Sequence, residues 1–80
     1  MKESVIKAIL IQLEKVYPDS ISSHENILKG REDREEIRKH LQYCFEEGWI
    51  KAEKARGKDG NISFNLIKIT SAGITYLSSL

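Results

Sequence analysis

One cysteine, one proline, one tryptophan and one methionine among eighty residues leave several kinds of protein with little to work from. A lone Cys44 forbids an intramolecular disulfide and suits a reducing compartment. Long apolar runs are missing too. The longest, Ala8 to Ile11, is four residues, against the roughly 20 that a membrane-spanning helix needs. Glu3 and Lys7 interrupt any signal-peptide core. Nor is there an excess of charge of one sign: thirteen Lys+Arg stand against twelve Asp+Glu, a net of +1, with a pI of 7.9. Nucleic-acid-binding domains often exceed a pI of about 9, so an electrostatic case for such a partner has to rest on local patches. The length implies one domain (1–80) with one small core, and hence a function carried on the surface or at an interface. The expectation is a soluble cytoplasmic protein with no membrane partner.

What is present centres on Asp33 to Ile50. Ile37, Leu41, Cys44 and Gly48 recur at steps of four, three and four, the period of a helix with one buried face. Asp33, with Glu36 three positions on, is the expected N-cap. Gly48 is the expected left-handed stop, and Trp49-Ile50 opens a strand. Upstream, Val5, Ile6, Ile9, Leu10, Leu13, Val16 and Tyr17 form one stripe of a first helix that Pro18 ends. Ile21 is expected in a very short strand. Ser22-Ser23-His24-Glu25 has capping-box spacing and predicts a short second helix that carries Ile27 and Leu28 and closes at Gly30. His24 would face solvent in its first turn.

Downstream, Ile50, Ala52 and Ala55 alternate with Lys51, Glu53, Lys54 and Arg56 as a half-buried strand. Gly57 to Asn61 is dense in turn formers. In the returning strand, Ile62 to Ile69, the inward set Ile62, Phe64 and Leu66 changes phase to Ile67 and Ile69. A bulge or a change of packing surface would account for that. Thr70 or Ser71 caps a last helix with Ile74, Tyr76, Leu77 and Leu80.

His40-Leu41, Phe45, Gly48-Trp49-Ile50 and Ile69-Thr70-x-x-Gly73-x-x-Tyr76-Leu77, in this element order, resemble the winged helix-turn-helix family, most closely small bacterial and phage members of unassigned function. The resemblance spans nearly the whole chain. It implies an α+β fold with a three-helix core, a short first strand, a β-hairpin wing and a C-terminal helix. It also implies a DNA-binding role, such as a small transcriptional regulator, in which the third helix enters the major groove of double-stranded DNA and the wing meets phosphates. Fold alone does not imply activity.

On the third helix the candidate readers are Arg34, Arg38, Lys39 and Gln42, since arginine matches a guanine edge and glutamine an adenine edge. Glu32, Glu35 and Glu46 lie among them, and Glu35 to Lys39 has ion-pair spacing, so the same face also reads as a self-neutralising solvated surface. On the wing Lys54, Arg56 and Lys58, with Lys51 and Lys68 nearby, suit phosphate contact. Lysines on an edge strand also discourage aggregation. Tyr43, Trp49 and Tyr76 are candidate anchors of a protein or homodimer interface, the alternative function, unless Trp49 simply plugs the core beneath the wing. Glu36, His40 and Cys44 share one flank of the third helix, but no second Cys/His pair completes a four-ligand site, so neither metal nor cofactor is expected. Nothing resembles a nucleophile with its base or a phosphate-cradling loop between strand and helix, and an enzyme is not expected.

Overall fold

The computed structural model describes all residues, 1–80. It is α+β, with three α-helices and one antiparallel sheet of three strands in the order β1-β3-β2. Helix α1 (Glu3–Val16) buries Val5, Ile6, Ile9, Leu10 and Leu13 along one stripe. It ends ahead of Pro18, as the restriction on the residue before a proline demands. Val16 and Tyr17, expected on the inward stripe, lie exposed where the core stops. Strand β1 (Ile21–Ser23) pairs with β3, Ile21 opposite Ile67 and Ser23 opposite Asn65.

The expected second helix does not form. In its place is a single 3-10 turn, His24–Asn26, capped by Ser23 rather than Ser22: the Ser23 hydroxyl accepts the Glu25 N–H. Ile27 then returns to extended backbone, and Leu28 takes a left-handed φ of 47° ahead of Gly30 at 78°. A helix would have satisfied this segment's main-chain groups internally. Here side chains from elsewhere do so. The Gln12 amide accepts the Leu28 N–H and donates to the Asn26 carbonyl, at 2.8 and 2.9 Å. The Arg34 guanidinium donates to the carbonyls of His24 and Ile27 at 2.6 and 2.7 Å. Ile27 and Leu28 are thereby buried without helical backbone. His24, expected in solvent, is buried as well, its Nδ1 accepting the Phe64 N–H of β3.

Helix α2 (Arg34–Glu46), the element expected third, buries Ile37, His40, Leu41 and Cys44. Asp33 has N-cap backbone geometry, but its side chain caps nothing. At the other end Trp49 N–H reaches the Cys44 carbonyl and Gly48 N–H the Phe45 carbonyl, with Gly48 at φ 80°. This is the Schellman arrangement that the glycine predicts.

The chain then enters β2 (Ile50–Arg56), turns at Gly57–Asn61 and returns as β3 (Ile62–Ile69). Pairing runs Lys51 to Lys68 and then Glu53 to Asn65, so Ala52 stands against both Leu66 and Ile67. This is the bulge the phase change implied, but it comes one residue earlier than the inward set suggested. Leu66 is the extra residue, at φ 50° and half exposed, while Phe64, Ile67 and Ile69 stay buried. Ala55, expected inward, is exposed.

Helix α3 (Ser71–Ser78) is capped by Thr70, whose Oγ1 accepts the Gly73 N–H and donates to the Gly48 carbonyl at 2.6 Å. A Cβ on Gly73 would overlap the Trp49 carbonyl oxygen and stand 2.7 Å from Ile69 Cγ1. Thr70 and Gly73 thus hold the last helix against the α2–β2 corner. Fourteen buried apolar side chains drawn from α1, the 27–28 turn, α2, β2 and β3 form one continuous core.

Candidate nucleic-acid interface

The fold sets the solvent-facing side of α2 beside the β2–β3 turn, and an open groove of about 480 Å³ runs between them. Arg38, Lys39, Gln42 and Glu46 line its helix side, Gly60, Asn61 and Ile62 its hairpin side, and Phe64 and Tyr43 its floor. Ile62 stands opposite Arg56 in the strand register, so the wing arginine is at the groove's edge.

The expected site residues fare differently. Arg34 is not a groove cation. Besides the carbonyls of His24 and Ile27, its guanidinium donates to those of Leu28 and Glu32, at 3.3 and 3.4 Å, and both terminal nitrogens are spent on main chain. Arg38 lines the groove and pairs loosely with Glu35 at 3.7 Å. Glu35 therefore takes the i+3 partner in place of Lys39, which stays exposed with no acidic partner. Arg56 and Lys58 are likewise exposed and unpaired.

Gln42 and Lys54 belong to a linked set that spacing alone did not reveal. Lys54 Nζ donates to Gln42 Oε1 at 3.2 Å, and Gln42 Nε2 donates to Glu46 Oε2 at 3.0 Å. The same ammonium lies 4.6 Å from the centre of the Phe45 ring, within cation–π range. Glu46 and Phe45 were missed as functional candidates. Their i+4 and i+3 offsets from Gln42 were available, but Lys54 reaches them only across the α2–β2 corner.

At the hairpin tip Asp59 accepts both the Asn61 N–H and the Asn61 side-chain amide at 3.0 Å, closing the turn. Those bonds, with the positive field of Arg38 as a smaller contribution, hold its carboxyl below the usual aspartate range. The tip is therefore an anionic point between Lys58 and the groove.

The candidate interface aromatics come together. The rings of Trp49 and Tyr76 stack at 3.7 Å with 14° between planes, and Tyr43 meets Trp49 edge-on at 5.8 Å. All three are half-buried, so Trp49 is neither a full core plug nor a bare anchor. Removal from water, and then the nearby Glu3 carboxylate, push the Tyr76 phenol above the ordinary tyrosine value.

The Glu36, His40 and Cys44 flank is built for packing. His40 Nδ1 lies 2.7 Å from the Glu36 carbonyl, and its Nε2 accepts the Lys2 N–H at 3.1 Å, which requires the neutral Nδ1–H tautomer. Burial pushes the Cys44 thiol up to about 12. No group of three or more His, Cys, Asp or Glu side chains is arranged to hold a metal ion, and no helix is long and apolar enough to cross a membrane.

Comparison with protein-family models, with curated proteins and with solved structures finds no match to this chain in any of the three.

Proposed function

We propose that the chain is a winged-helix DNA-binding domain, such as a small transcriptional regulator, with α2 as the major-groove helix and the β2–β3 hairpin as the wing. The observation that carries this reading is the shared groove. The outward face of α2 and the hairpin tip flank it, and Lys39, Arg56 and Lys58 stand around it without acidic partners. Unpaired surface cations exchange hydration and counterions for phosphate at little cost, whereas paired ones must first give up a partner. The helix-strand order and the β1-β3-β2 sheet also agree with the winged-helix pattern. The test is fluorescence-anisotropy titration of random-sequence duplex DNA at two salt concentrations. Binding that weakens steeply with salt supports the reading, and no binding at low salt removes it.

A second reading, a protein-contact module or homodimer on the same scaffold, draws on the half-exposed Tyr43, Trp49 and Tyr76 cluster. Light scattering on the same sample separates the two. A dimer that persists at high salt in a chain indifferent to DNA would favour protein contact.

A further inference from the structure

We propose that Gln42 reads the major-groove edge of an adenine, with its amide held in one orientation by Lys54 and Glu46. The proposal rests on the DNA-binding reading above and adds to it the base that is recognised and the residues that set the choice.

A free glutamine amide can rotate by half a turn and present either its oxygen or its nitrogen at a given point. Gln42 cannot do so without cost. Its oxygen faces the Lys54 ammonium at 3.2 Å and its nitrogen faces the Glu46 carboxylate at 3.0 Å. Rotation would set an NH2 group against an ammonium and a carbonyl oxygen against a carboxylate, two repulsions in place of two charge-assisted bonds. Lys54 is itself held, since its ammonium lies over the Phe45 ring. The amide is therefore fixed from both sides by elements that meet at the α2–β2 corner.

Each of the two bonds uses only part of the amide's capacity, because the nitrogen carries two hydrogens and the oxygen two lone pairs. One donor and one acceptor remain for the groove that Gln42 lines. Adenine offers N7 as acceptor and N6–H as donor, the complement of that pair. Guanine offers two acceptors, N7 and O6, and O6 would face the amide oxygen. Cytosine has only a donor in that region and thymine only an acceptor beside its methyl group, so neither answers both atoms. Glu46, which composition alone marks as a repeller of phosphate, becomes a positioning residue.

The experiment is selection from a pool of randomised duplexes, followed by sequencing, with the parent, Gln42→Ala, Glu46→Gln and Arg56→Ala proteins. Circular-dichroism melting confirms that each variant is folded. The parent is expected to enrich adenine at a contacted position, and Gln42→Ala to lose that preference by roughly ten-fold or more. Glu46→Gln lets the amide take both orientations. It is expected to blur the same position while affinity for random duplex holds or rises, a combination that a merely structural role for Glu46 would not produce. A parent that selects no adenine, or a Gln42→Ala protein that keeps the preference, overturns the proposal while leaving DNA binding intact if Arg56→Ala still weakens binding to the pool. Absence of any duplex binding at low salt removes the proposal together with the reading it rests on.

Discussion

Replacing Arg34 by alanine tests whether this residue is a clamp or a DNA contact. Its guanidinium holds the carbonyls of His24 and Ile27 at 2.6 and 2.7 Å, with weaker bonds to Leu28 and Glu32. A hydrogen bond to a charged group contributes about 1.5–3 kcal/mol, and a buried carbonyl left without a partner costs about 1–3 kcal/mol. Arg34 is half-buried, so water can reach part of the vacated site and the lower half of the combined range applies, a loss of about 2–4 kcal/mol. A chain of this length has about 4–12 kcal/mol of total stability at 0.05–0.15 kcal/mol per residue. The loss then corresponds to a fall in Tm of roughly 10–25 °C. Urea unfolding followed by circular dichroism reads the stability, and the salt dependence of duplex binding is measured below the variant's melting point. Arg34→Lys should recover only part of the loss, because one ammonium cannot bridge two carbonyls as the planar fork does. An unchanged Tm, together with a salt slope reduced by about one, would refute the clamp and make Arg34 a phosphate ligand.

Arg56→Ala and Lys58→Ala should each weaken duplex binding almost equally on all sequences and lower the salt slope by about one, as anisotropy titrations would show. Gly73→Ala should cost about 1–3 kcal/mol or more in urea unfolding, because its methyl group meets the Trp49 carbonyl and Ile69. Cys44 should resist thiol reagents in the native state at pH 8 and react only on unfolding. Its folded pKa of about 12 exceeds the ordinary 9.0, so its stabilising contribution is complete below pH 9 and is lost as pH rises from there toward 12. Cys44→Ala should show a shallower alkaline decline in Tm than the parent.

Where a feature depended on its own few residues, it could be read from the chain in advance. The stripe of α1, the stop at Pro18, the Gly48 cap and the hairpin turn at 57–61 all follow from local periodicity and from backbone limits of single residues. The bulge in β3 was visible as a break in period, although assigning Leu66 to the inward set put the break one residue late. The second helix was the clearest error. Ser22 to Glu25 has the spacing of a capping box, but the buried His24, the Gln12 amide and the Arg34 guanidinium supply from outside the segment what a helix would supply from within.

The candidate site shows the same division. Charge and helical phase identified Arg38, Lys39, Gln42, Lys54, Arg56 and Lys58 as outward residues, but phase says nothing about which donors are already taken. Arg34 proved to be committed to main chain, Glu35 to Arg38 rather than Lys39, and Gln42 to Lys54 and Glu46. By itself the sequence determined where elements begin, end and turn, because those limits come from sterics and apolar periodicity within a few residues. Only the tertiary structure decided which polar groups stay free for a partner. Hydrogen-bond valences are filled by whichever groups the fold brings within about 3 Å, and here these include residues as far apart in the chain as His24 and Phe64.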